Sequence, residues 1–258
     1  LNGAKEGQKA VARIVEWLPG AKNPTGEIVE ILGDPGDNNA EMNAILVEYG
    51  FPIRFPADVE QEADRIPFEI PAAEIKRRRD MRYATTFTID PVDAKDFDDA
   101  LSVEVVGDGI YEIGVHIADV SHYVRPGSGL DDDAKRRATS VYFPDHVVPM
   151  LPEKISNGLC SLNPEVDRLC MVCDAVVDQR GEILAYQFYQ GVMHSAQRFT
   201  YDTVWEILSN TRGPEAVRFA QFNEQLNHLY QLYKILFAAR EKRGAIDFET
   251  VETQIISN

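Results

Sequence analysis

From Ala100 to Val106, and again from Tyr111 to Ala118, apolar and polar residues alternate with the two-residue period of a strand. Gly107-Asp108-Gly109 separates the two runs. This pattern predicts a hairpin with Leu101, Val103 and Val105 on one face, beside Tyr111, Ile113, Val115 and Ile117 of the partner strand. Leu169–Val177 and Ile183–Met193 flank Asp178-Gln179-Arg180-Gly181 and predict a second hairpin. Nearer the start, Lys9–Trp17 and Gly26–Leu32 read as strands, separated and followed by Gly/Pro-rich breaks. Short strands of this kind build small barrels, but two are too few to close one. Ala57–Arg65, Asp131–Thr139 and Tyr201–Ser209 read as helices, and Glu41–Tyr49 as helical or irregular. After Gly213-Pro214, residues Glu215–Arg243 predict one long amphipathic helix. Its apolar positions Phe219, Phe222, Leu226, Leu229, Tyr233 and Leu236 follow three- and four-residue spacing, and Gly244 is its stop.

These elements divide the chain into a β-rich stretch at 1–70, a linker at 71–84 and a mixed region at 85–258. The linker carries Lys76-Arg77-Arg78-Arg79, read as a solvated basic face in preference to an RNA-facing patch. The 258 residues suffice for one large domain or two ordinary ones. No apolar run approaches the ~20 residues that cross a bilayer. The start, Leu1-Asn2-Gly3-Ala4-Lys5, has neither the apolar stretch of a signal peptide nor an initiator Met, and reads either as an internal start within a longer protein or as a start left by removal of a tag or leader. Three cysteines cannot pair completely, which favours a reducing cytoplasm. Cys170-x-x-Cys173 resembles half a zinc motif but lies in an apolar run, where small buried hydrophobes are the simpler reading. A net charge of −16 argues against phosphate binding by composition alone, unless bound cations invert the local charge.

The stretch Phe87-Thr88-Ile89-Asp90-Pro91-Val92-Asp93-Ala94-Lys95-Asp96-Phe97-Asp98-Asp99-Ala100-Leu101 changes the picture. It sets five aspartates within ten residues, between two apolar strand-like runs. Like charges this close repel, so a folded chain must either solvate them fully or hold them around cations. An acidic loop in solvent and a site for hard divalent cations are both open on the residues alone. A calcium loop of the EF-hand type fits poorly, because the required Gly is replaced by Lys95 or Leu101, depending on which aspartate starts the count. Strand alternation puts Asp96 and Asp98 on one side and Asp99 on the other.

Thr88-Ile89-Asp90-Pro91-x4-Asp96-x-Asp98-Asp99-Ala100-Leu101 resembles the signature of the catalytic domain shared by the ribonuclease R/ribonuclease II family. Further blocks resemble that family in the same order. They are Gly114–Val124, Thr139–Pro144, Val148–Glu153, Leu159–Leu162, Arg198–Asp202 and Arg243–Thr250. The wording of Thr139–Glu153 and Ile246–Thr250 is closer to the ribonuclease R side of the family. Gly7–Val11 and Asn23–Val29 are similar, more weakly, to the family's cold-shock-like barrel.

The resemblance implies an α+β chain: a partial cold-shock-like OB-fold barrel at 1–70, then the N-terminal part of a mixed α/β RNB catalytic domain at 85–258. It implies a 3′–5′ exoribonuclease that hydrolyses single-stranded RNA processively from the 3′ end to nucleoside 5′-monophosphates. Asp90, Asp96, Asp98 and Asp99 would be catalytic and would bind Mg²⁺, or Mn²⁺ in its place. Tyr142 and Phe248 would contact RNA, with stacking suited to sequence-tolerant degradation. His116 and His122 are read as structural. The implied protein is a cytoplasmic monomer with no membrane partner. The family's domain continues beyond residue 258, so this stretch by itself is expected to be impaired. The alternative is a non-catalytic RNA-binding member of the same fold, and a purely structural acidic module is a third reading.

Overall fold

The structure, a computed structural model, describes residues 2–143 and 146–246. In chain order the elements are β1 (Lys9–Glu16), β2 (Thr25–Gly33), α1 (Asn38–Glu48), α2 (Ala57–Arg65), α3 (Ala72–Arg77), β3 (Arg79–Asp80), β4 (Thr86–Asp90), β5 (Asp99–Gly107) and β6 (Ile110–Ala118). They continue with α4 (Val120–Tyr123), α5 (Gly129–Arg137), β7 (Val141–Tyr142), β8 (Val147–Val148) and a π-helical turn, Lys154–Leu159. Then come β9 (Asp167–Val177), β10 (Ile183–Thr200), α6 (Tyr201–Ser209), α7 (Pro214–Arg218), a 3₁₀ turn at Ala220–Phe222, and α8 (Asn223–Lys242). No described helix is long and apolar enough to cross a membrane.

The elements gather into two compact units, one of residues 1–60 and 133–150, the other of 61–132 and 151–258. In the first, β1 and β2 pair antiparallel with register shifts. The Asp37 carboxylate caps α1 by accepting from Ala40 N at 3.0 Å. Residues 133–150, which the sequence reading placed in the second domain, belong to this unit for a visible reason. The Arg137 guanidinium is buried, pairs with Asp133 at 2.7 Å, donates to the carbonyls of Pro52 (3.1 Å) and Arg54 (2.6 Å), and lies over the Phe55 ring.

The second unit is built on one sheet. Its strand order is β3-β10-β4-β5-β6-β9, and β10 also pairs with β9, so the sheet closes on itself. The length of β10 makes this closure. Ile183–His194 run antiparallel to β9, and Ser195–Thr200 run parallel to β4. The expected β5–β6 hairpin is present, with Leu101 beside Val115, Val103 beside Ile113 and Val105 beside Tyr111. Its turn uses Gly109 at φ +67°, a left-handed conformation that favours glycine. In the β9–β10 turn, the Asp178 carboxylate accepts from the backbone N–H groups of Arg180 and Glu182 at 2.8 and 2.9 Å. Cys170 and Cys173 lie on β9, with Cys170 buried.

Phe87, Phe199 and Phe222 form the aromatic centre of the core beneath the sheet, in edge-to-face contacts with centroids 5.4–6.1 Å apart. The expected single helix over Glu215–Arg243 is three pieces instead. Phe219 leaves helical geometry (φ −107°, ψ 28°), and the following 3₁₀ turn swings Phe222 into the core. Asn223 Nδ2 donates to the carbonyl of Ala216 at 2.9 Å, satisfying a group that the broken helix leaves over.

Candidate active site

The acidic stretch begins on β4 and ends on β5. Phe87 stands opposite Leu101 in the antiparallel pair, with Asp90 at the end of β4 and Asp99 at the start of β5. Residues 91–98 form the loop between the two strands. The loop is tied from outside. Phe97 N donates to Ser161 Oγ (3.0 Å), Leu162 N donates to the carbonyl of Phe97 (2.8 Å), and Ala118 N donates to the carbonyl of Asp98 (2.9 Å). On its other side, Arg198 Nη2 donates to the carbonyls of Pro91 (2.9 Å) and Val92 (2.8 Å), and its guanidinium lies 5.1 Å from the centre of the Phe97 ring. Arg198 stands beside Thr88, and Thr200 beside Asp90, in the β4–β10 register.

The electrostatics show the carboxylates acting on one another. Loss of water is the largest cause raising the pKa of Asp90, with the charges of Asp99 and Asp96 adding to it, while the nearby Thr88 hydroxyl and Arg198 guanidinium oppose it. The Asp98 pKa is raised by the same desolvation and then by the charges of Asp96, Asp99 and Asp90, although part of its surface stays open to solvent. Asp90 Oδ2 and Thr88 Oγ1 are buried without a hydrogen-bond partner, and so is Arg198 Nε. Among the described residues, no group of three or more His, Cys, Asp or Glu side chains is placed to hold a metal ion. The four carboxylates are hard oxygen donors, and repulsion among them raises the pKa of Asp90 and Asp98. An orphaned buried carboxylate oxygen among such donors fits a hard divalent cation.

Asp90, Asp96, Asp98 and Asp99 are thus brought within reach of one another's charge. Tyr142, at the end of β7 and 67% exposed, belongs to the other compact unit. Phe248 lies outside the described residues. Sequence reasoning gave no role to Arg198 or Ser161. Both sit in blocks it quoted, but their work on the loop runs mainly through backbone carbonyls and N–H groups, which leave no mark in residue spacing. A cavity of about 520 Å³ between α6, α8 and the outer sheet face is lined by apolar residues such as Ile89, Leu101, Ile113 and Phe237, and contains none of the four aspartates.

The two histidines are held structurally. His122 packs edge-to-face on Tyr123 and lies near Arg78 and Glu74. His116 is fully buried, its Nε2 2.9 Å from Ser102 Oγ, and burial pushes its pKa down to about 4. An unfolded histidine titrates near ~6.5. The unfolded chain therefore binds the extra proton first as pH falls. The stability due to neutral His116 is complete above that value and is lost as pH falls towards the folded pKa, by up to about 3 kcal/mol. Urea midpoints measured between pH 7 and 4.5 should drop more steeply for wild type than for His116→Gln. Parallel profiles would contradict this.

The family model for the RNB domain matches residues 78–258, and that for the cold shock domain matches residues 1–56. The chain belongs to the RNB-domain family, with a cold-shock segment in front. Its relatives include Ribonuclease R of Escherichia coli, 43% identical over 260 residues that cover 100% of this chain and 32% of the relative. Ribonuclease R of Thermotoga maritima is 41% identical over 260 residues, covering 99% of this chain and 36% of the relative. The chain thus spans about a third of the length of these curated relatives. Among solved structures, Mycoplasma genitalium RNase R in complex with double-stranded RNA superposes with a TM-score of 0.87 at 32% identity, over 100% of this chain and 45% of that one. The fold also recurs in the yeast pseudonuclease Ssd1, with a TM-score of 0.68 at 22% identity over 90% of this chain and 28% of that one.

Proposed function

We propose that this chain is part of a 3′–5′ exoribonuclease that degrades single-stranded RNA processively to nucleoside 5′-monophosphates, using Mg²⁺ or Mn²⁺. What supports the reading is that the charges of Asp90, Asp96, Asp98 and Asp99 act on one another, with one Asp90 oxygen left unpartnered, in a chain of the RNB family. A bound divalent cation would supply charge neutralisation and an activated water at that place. The protein's part is to hold four carboxylates where their own repulsion would spread them. Asp90 comes from the end of β4, Asp99 from the start of β5, and Asp96 and Asp98 from the loop between them, which is tied from outside. The cation would also reconcile a strongly acidic chain with a phosphate substrate. Tyr142 and Phe248 would stack on bases near the 3′ end, which every base permits through its π face. The protein would act as a cytoplasmic monomer, and this stretch alone would be weakly active.

The test is a time course on single-stranded RNA labelled at its 5′ end, using the full-length protein. The label should pass from full-length RNA to a short end product with few intermediates, nucleoside 5′-monophosphates should accumulate, and EDTA should stop both. Internal cuts, or degradation indifferent to EDTA, would reject the reading. RNA retention without any cleavage would leave the non-catalytic binder in its place.

A further inference from the structure

The loop joining Asp90 to Asp98 has little to hold it from within. Among its described backbone hydrogen bonds, the internal one runs from Ala94 N to the carbonyl of Pro91, 3.2 Å away. Val92 at its tip is 72% exposed. Repulsion among the carboxylates pushes the loop away from β4. What opposes that push comes from distant parts of the chain. Ser161, after the π-helical turn, accepts from Phe97 N and donates to the carbonyl of Lys95 at 3.5 Å. Arg198, on β10, grips the opposite side of the loop through two carbonyls and the face of Phe97.

We propose that Arg198 is a positioning residue for the hydrolysis. Its planar guanidinium pins the carbonyls of Pro91 and Val92 and the ring of Phe97, so that Asp96, Asp98 and Asp99 stay facing Asp90. The inference rests on the hydrolase reading above. The geometry favours a guanidinium. One of its nitrogens, Nη2, serves two adjacent carbonyls while the flat cation lies over an aromatic ring, and a lysine ammonium would keep the two bonds less well when it must also approach that ring. Arg198 also shares the strand that flanks Asp90, since Thr200 pairs with Asp90 two residues on. Both walls of the site are therefore referred to one strand.

The experiment compares full-length wild type with Arg198→Met, Arg198→Lys and Ser161→Ala. It measures kcat and KM on single-stranded RNA, and Mn²⁺ affinity by electron paramagnetic resonance without RNA. Both Arg198 variants are expected to lose about 10–100-fold in kcat and in Mn²⁺ affinity, the range seen when residues supporting metal ligands are removed, with KM for RNA within about twofold. Ser161→Ala should shift the same quantities in the same direction by less. Recovery of either quantity by Arg198→Lys would mean that charge alone matters and would overturn the positioning role. Unchanged Mn²⁺ affinity in Arg198→Met would do the same. If thermal melting shows Arg198→Met unfolded, the Lys and Ser161 variants decide between these outcomes. Wild type that neither binds Mn²⁺ nor hydrolyses RNA would sink the hydrolase reading itself, a result distinct from an active wild type with indifferent Arg198 variants.

Discussion

Asp98→Asn in the full-length protein is expected to lower the rate of RNA hydrolysis about a thousandfold, the loss of several kcal/mol of transition-state stabilisation, while RNA binding stays within a fewfold. Asp98 is the carboxylate on which the charges of Asp96, Asp99 and Asp90 all act, so it occupies the crowded centre of the cluster. Asparagine keeps its shape and one oxygen but removes the negative charge that a hard cation needs. The substitution also relieves repulsion in the protein, so folding should be equal to or better than wild type. Loss of activity would therefore not be a folding defect. Gel-shift affinity, a melting curve and product release measured on one sample separate the three effects. Activity within tenfold of wild type would remove Asp98 from the catalytic centre.

The second large effect concerns stability. Arg78→Met is expected to destabilise the protein by about 3–5 kcal/mol and to lower Tm by roughly 10 °C. The Arg78 and Asp119 side chains are 0% and 1% exposed, and Arg78 Nη2 donates to Asp119 Oδ2 at 2.6 Å. Arg78 also pairs with Glu74 at 2.6 Å, and Ser121 Oγ donates to Asp119 Oδ1 at 2.6 Å. Burial opposes the charge on Asp119, but the hydrogen bonds from Ser121 and Arg78 outweigh it and hold the pKa below the ordinary carboxylate value. A depressed acid contributes stability above its unfolded pKa and loses it as pH falls through the folded one, so this pair should hold at neutral pH and fail only in strong acid. Removing the arginine strands a buried negative charge. Arg78→Met combined with Asp119→Asn should recover part of the loss, since no uncompensated charge remains. A single-variant effect below about 1 kcal/mol would show that water reaches the pair.

Both hairpins of the second unit were legible in the sequence because strand alternation and turn glycines are local signals. Leu101, Val103 and Val105 lie beside Val115, Ile113 and Tyr111, residues of the partner strand that the pattern picked out. The break in the helical region was not legible. Phe219, Phe222 and Leu226 keep three- and four-residue spacing whether the helix runs straight or turns once, so periodicity cannot show that Phe222 swings into the core. The closure of the sheet was hidden as well, because no local pattern announces a parallel pairing between β4 and β10. The same holds for Arg137, whose contacts with Pro52 and Arg54 draw residues 133–150 into the first unit. The four aspartates were singled out by their density and by family resemblance, whereas the residues that restrain them act on backbone atoms and carry no signature of their own.

Arg198 reaches back across 107 residues to Pro91. Bringing such distant positions together loses much chain entropy before any contact compensates for it. Synthesis proceeds from the N-terminus, so the aspartates leave the ribosome long before their clamp does. Until β10 has emerged, the acidic loop has no strand to lie against on that side and no guanidinium to restrain it. On the proposed chemistry, a chain still being translated would complete its cutting centre only once β10 had been made.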